Sequence, residues 1–171
     1  MTEGTGRLHY TRRVAEPGRN DVTAQFLMVQ AISQNIAFFC CAIFTGGAIY
    51  VSLVEDPATA EGGIELAGTY LLAAHPRPAI VQTMFAGLAA LGGVLAGLAG
   101  GVIWWVVAGA IMGVAALSEL LVVNPTARRL REVNPAVDPA RAHRLLVRLA
   151  RLHAGLSLAG LAALFIFIMK S

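Results

Sequence analysis

The sequence predicts an all-α fold, an integral membrane antiparallel four-helix bundle with a disordered N-terminal tail, and three observations carry that prediction. Hydrophobic residues make up 57% of the 171 residues and charged residues only 13%, where a soluble domain carries about 25% charge. The mean hydropathy is +0.68. The apolar residues are gathered into runs long enough for four spans of about 20 residues each, and what remains outside them is too little for a separate water-soluble domain.

The elements follow in order. Residues 1–22, opening MTEGTGRLHYTRRVAEPGRN, are polar, carry Pro17 and Gly18, and lack the charged-then-apolar layout of a cleavable signal peptide, so a mobile tail is expected. Residues 23–171 are expected to form a single transmembrane domain. Asp21 is a suitable N-cap for a first helix over about 23–54, whose apolar run AFFCCAIFTGGAIYVSLV is stopped by EDP. Cys40 and Cys41 are adjacent inside that run, a placement that suits neither a structural disulfide nor ordinary metal-ligand spacing, and they read as buried packing residues.

Residues 55–77 form an acidic connection ending in HPRP, and its segment IELAGTYLLAA, around 64–74, is apolar enough to lie as a short helix on a bilayer surface. A second helix is predicted over 79–99 and a third over 102–123. Only Gly100 and Gly101 separate them, which forces an antiparallel hairpin. Glycines at 93, 97 and 101, and again at 109 and 113, recur every four residues, the spacing that lets helices approach closely in lipid. Trp104 and Trp105, near that turn, are expected as anchors at the membrane interface. Asp138 and Pro139 open a fourth helix over 139–169. At 1.5 Å per residue it is about 46 Å long, so its first turns must stand outside a hydrocarbon layer of about 30 Å.

Four antiparallel spans bring one set of polar residues to the same end of the bundle: Glu55, Asp56, His75, Arg77, Gln82, Glu119, Asn124, Arg148, Arg151 and His153. Glu119 is the most conspicuous, because an ionisable group inside a span costs roughly 2.5–3.5 kcal/mol unless it is paired or faces water. Arg151 on the fourth helix reaches a similar depth and is its expected partner. One reading makes this pair a structural lock while the outer arginines reach lipid phosphates. The other makes the cluster a pocket in which His153 titrates, tuned by Glu55 and Glu119. A metal or haem site using His153 with these carboxylates is a third reading, although no Glu-x-x-His pair is present. A transporter is less favoured, since no repeat of broken helices is visible. The basic runs RRLRE and RAHRLLVRLAR fit anionic lipid and not nucleic acid, and their lysine and arginine excess places the polar end in the cytoplasm with both termini outside.

The order of features, AIYVSLVEDPA, then VQTMFAGLAALGG, WWVVAGAIMG, VVNPTARRL and LVRLARLHAGLSLAG, resembles the anthrone oxygenase-like family of small four-helix membrane proteins over about residues 35–165. The resemblance implies a cofactor-independent oxygenase that converts the central methylene of an anthrone to a quinone carbonyl with dioxygen. It implies His153 as base, Glu119 or Glu55 orienting it, and Arg151 or Asn124 stabilising negative charge, with no metal and no other cofactor. The family pattern commonly has an asparagine after Pro-Thr, a tryptophan shortly before the histidine and an arginine three residues after it. Ala127, Leu149 or Ala150, and Leu156 stand there in this chain. A non-enzymatic bundle that binds a small molecule or a partner subunit is the alternative class. The glycine stripes serve either internal packing or a homo-oligomer, and the Ala, Gly and Arg usage points to a GC-rich bacterium and its cytoplasmic membrane.

Overall fold

A computed structural model describes residues 17–61, 76–134 and 136–170. The expected tail up to residue 16 and the expected surface helix at 64–74 lie outside the described residues. The described residues form an antiparallel bundle of four spans without strands. The first span is built from α1 (Pro17–Tyr50), a π-helical turn (Val51–Glu55) and α2 (Asp56–Glu61); the second is α3 (Pro76–Gly100). The third runs through α4 (Ile103–Ser118), a second π-helical turn (Glu119–Val123) and α5 (Asn124–Glu132), and the fourth is α6 (Pro139–Met169). All four are long and apolar enough to cross a membrane, so the chain is a multi-pass integral membrane protein.

Three helix ends differ from those the sequence predicts, one at the start of the first helix and two C-terminal extensions that share one physical reason. The first helix starts at Pro17, inside the expected tail, and EDP does not stop it: the chain stays helical to Glu61. The third helix runs on to Glu132 instead of ending at Val123. The physical reason is the same in both. A proline inside a helix removes one N–H and drives its ring toward the carbonyl four residues back. Here each proline, Pro57 and Pro125, follows a widened turn in which the preceding residue bonds five residues back, Asp56 N–H to the Val51 carbonyl and Asn124 N–H to the Glu119 carbonyl. The π turn absorbs the proline and the helix continues.

The interior is sulfur- and aromatic-rich, with Phe44, Met112, Trp105 and Phe167 as its largest buried side chains. Only a third of the most apolar window of each span is buried inside the bundle, so most of each helix surface is left for lipid. Between apolar surfaces in lipid the association of helices rests on close packing, and small residues provide it. A Cβ on Gly93 would lie 2.9 Å from the Gly109 Cα, and one on Gly109 would lie 2.8 Å from both the Ala90 carbonyl oxygen and the Val94 nitrogen, so the second and third spans touch through their backbones. Gly101 turns the hairpin with φ +65°, a left-handed conformation that glycine takes without steric cost.

The end of the bundle near this turn holds both tryptophans, and only Trp104 lies on the outer surface, as an interfacial anchor requires. It is half-exposed, with the Lys170 ammonium 5.8 Å from its ring centre. Trp105 is instead a core residue, 1% exposed, tilted against Phe167 at 4.9 Å and donating its indole N–H to the Lys170 carbonyl at 3.0 Å. Adjacent helical residues point about 100° apart, so the two rings cannot share one environment.

Candidate functional site

The first and fourth spans run antiparallel, and polar side chains tie them together in steps of one turn. Thr45 packs against Gly160, where an added Cβ would sit 2.6 Å from its hydroxyl oxygen. Farther along, Ser52 and Ser157 are hydrogen-bonded at 2.9 Å. Ser157 donates its own proton to the His153 carbonyl at 3.0 Å, so Ser52 is the donor between the two hydroxyls. One turn beyond lies the pair that defines the site. His153 Nδ1 faces both carboxylate oxygens of Asp56, at 3.2 and 3.1 Å, with both side chains largely withdrawn from solvent. Asp56 is the residue that directly follows the first π turn.

The second π turn supplies the other carboxylate. Glu119 is its first residue and is 1% exposed. It lies in electrostatic range of His153, and its Oε2 has no hydrogen-bond partner among the described residues. Counting sixteen residues from Ile103 at 1.5 Å each, Glu119 is about 24 Å along its span, near the far side of a layer of about 30 Å. A buried polar atom without a partner costs about 1–3 kcal/mol, and such atoms in native folds ask for an explanation in terms of function. Two helices each widened by a π turn, at the residues that feed one cluster, fit the known concentration of π turns at functional sites.

The structure brings together His153 and Glu119 of the five candidate residues and leaves the other three apart. The expected Glu119–Arg151 pair does not form: Arg151 is exposed. Residues two apart on a helix point about 200° apart, so burying His153 turns Arg151 outward. Arg151 belongs with Arg141, Arg144 and Arg148 to one exposed stripe of α6, and none of these is in an ion pair with a carboxylate among the described residues. Glu55 is half-buried, and its side chain makes no hydrogen bond or ion pair among the described residues; its place beside the imidazole is taken by Asp56. Asn124 is half-buried one residue past the π turn, and its backbone N–H closes that turn. The signal for Asp56 was in the sequence: Thr45, Ser52 and Asp56 are spaced by seven and four, a single helical stripe. His75 lies outside the described residues.

Chemically the arrangement is an imidazole oriented by one carboxylate with a second carboxylate nearby. When Nδ1 carries the proton donated to Asp56, Nε2 carries the basic lone pair. No group of three His, Cys, Asp or Glu side chains among the described residues is arranged to hold a metal ion. In comparisons with family models, curated proteins and solved structures, none matches the chain. Fold and site together define a multi-pass helical membrane protein in which a buried histidine and a buried glutamate meet a partly buried aspartate near one end of the bundle.

Proposed function

We propose that the protein is a membrane-embedded oxygenase that acts without a metal or organic cofactor on flat, weakly acidic phenolic or anthrone-like molecules. The observation that carries this reading is the His153–Asp56 pair, largely withdrawn from solvent, with the buried Glu119 in electrostatic range of the imidazole and its Oε2 without a hydrogen-bond partner among the described residues. An anthrone gives up a proton from its benzylic carbon because the resulting anion is an aromatic phenolate, and that electron-rich anion reacts with dioxygen directly. In this reading His153 Nε2 takes the proton, Asp56 holds the ring and stabilises the imidazolium, and Glu119 Oε2 accepts a hydrogen bond from a substrate hydroxyl. The carbon then bonds to dioxygen, the O–O bond breaks with loss of water, and a quinone remains: anthrone plus dioxygen gives anthraquinone plus water.

An apolar substrate partitions into lipid, so a site inside the hydrocarbon layer meets it at high local concentration. The reading also places the protein in a bacterial cytoplasmic membrane, with the arginine-rich end of the bundle on the cytoplasmic side. The test is oxygen uptake and quinone absorbance by detergent-purified protein with a panel of anthrones, repeated on His153→Ala and Asp56→Asn. Turnover that falls by at least about a hundredfold in His153→Ala, a common size for loss of a general base, supports the assignment. Turnover that survives in His153→Ala removes the base, and absence of oxygen uptake across the panel leaves the pair as a structural tie between the first and fourth spans.

A further inference from the structure

The arginines of α6 meet no carboxylate among the described residues, and their depth makes that costly. Lys170 and the half-exposed Trp104 mark one edge of the bilayer. Counting back from Met169 at 1.5 Å per residue, Arg151 lies about 27 Å along the fourth span, Arg148 about 32 Å and Arg144 about 38 Å. The hydrocarbon is about 30 Å thick, and the headgroups bring the bilayer to about 40–45 Å. Arg151 therefore stands just inside the far hydrocarbon edge, Arg148 just outside it and Arg144 near the outer limit of the headgroups. All three are exposed and none is in an ion pair with a carboxylate among the described residues. A guanidinium at that depth needs an anion, and on the outer face of a span the anion within reach is a lipid phosphate. Helical side chains lean toward the N-terminus of their helix. The N-terminus of α6 is the headgroup end, so the long arginine stems carry their charges toward the phosphates and not into the hydrocarbon.

The same sector of α6 continues beneath the arginines. At 100° per residue Arg144, Arg148, Arg151, Gly155, Leu158 and Ala162 fall within about 80° of one another, and every one of them is exposed. Its character changes once, between Arg151 and Gly155, from cationic at headgroup depth to apolar within the hydrocarbon. A Cβ added to Gly155 would meet nothing within 4 Å, so the surface below Arg151 is open down to the backbone until Leu158, 68% exposed, rises from it. The helix contains no acidic residue. We propose that this face binds one anionic phospholipid, with its phosphate held by Arg148 and Arg151, Arg144 toward the outer headgroup, and an acyl chain lying over Gly155 and Leu158. Charge complementarity selects the class of lipid. A guanidinium grips a phosphodiester through two parallel N–H···O bonds, and a cluster of guanidiniums favours a headgroup without a cation of its own. Phosphatidylcholine brings a quaternary ammonium into the same field and loses most of the attraction. The proposal does not rest on the oxygenase reading.

The test titrates phosphatidylglycerol and phosphatidylcholine separately into the detergent-purified full chain and counts bound lipid by native mass spectrometry. The chain is expected to retain one phosphatidylglycerol with a lower apparent Kd than phosphatidylcholine. Arg148→Gln combined with Arg151→Gln should weaken phosphatidylglycerol about thirtyfold and leave phosphatidylcholine unchanged. Arg128→Gln combined with Arg129→Gln removes the same charge from exposed positions of α5 and should leave phosphatidylglycerol within about threefold of the native value. All four arginines are exposed, so neither pair of changes touches the packed interior. Equal weakening in the two double variants would mean that only total charge matters, and equal affinity of the native chain for both lipids would mean that the face does not select; either result overturns the site. Displacement of the lipid by excess inorganic phosphate would overturn the lipid assignment, because phosphate alone cannot use the apolar half.

Discussion

At the scale of the residue, the two carboxylates of the cluster are held in opposite ways. Asp56 spends both oxygens on the His153 ring, whereas Glu119 has one oxygen without a partner in a 1% exposed position. Asp56→Asn weakens a hydrogen bond with a charged partner, and a loss of about 1.5–3 kcal/mol in unfolding free energy is expected. Glu119→Leu removes a buried carboxylate, one oxygen of which has no hydrogen-bond partner among the described residues, and is expected to leave stability unchanged or raise it by about 1 kcal/mol, while removing any activity of the site. Denaturation of the purified variants in detergent measures both. A loss above about 1 kcal/mol for Glu119→Leu would show that the second oxygen has a structural partner after all.

At the scale of the element, equal spacing hides unequal packing. Gly109 and Gly113 belong to one four-residue stripe, yet a Cβ on Gly109 meets backbone atoms at 2.8 Å and one on Gly113 meets only the Ala90 Cβ at 3.8 Å. Backbone cannot move aside as a side-chain tip can. Gly109→Ala is therefore expected to lose about 1–3 kcal/mol through overpacking between the second and third spans. Gly113→Ala is expected to be neutral or to gain a few tenths of a kcal/mol from better helix propensity. Similar losses at both sites in the same denaturation assay would mean that the stripe packs as a whole. The widened turns belong to this scale too. Proline breaks a regular ladder, so EDP predicts a helix stop; the local switch from four-residue to five-residue bonds carries the helix through it.

At the scale of the whole molecule, the single fourth span between them puts Lys170 at one end of the bundle and the connection at 136–138 at the other. A membrane-impermeant maleimide should label Lys170→Cys from one side of sealed vesicles and Val137→Cys only from the opposite side. Both sites are exposed, and the native Cys40 and Cys41 are buried, so background labelling is low. Labelling of both from one side would break the four-span arrangement. The arginine stripe of α6 at residues 141, 144, 148 and 151 and the arginines at 128, 129 and 131 all sit toward the Val137 end.

The sequence by itself determined the class of the protein, its four spans, the antiparallel order and the end of the bundle where ionisable groups collect. These follow from composition and run length, which the thickness of a bilayer converts almost directly into structure. It also named His153 and Glu119, because a titratable residue in an apolar run stands out on cost alone. Only the tertiary structure decided which polar residue faces which. Asp56 in place of Glu55, and the outward turn of Arg151, depend on helix rotation, and one residue shifts a side chain by about 100°, a difference that depth along the membrane does not register.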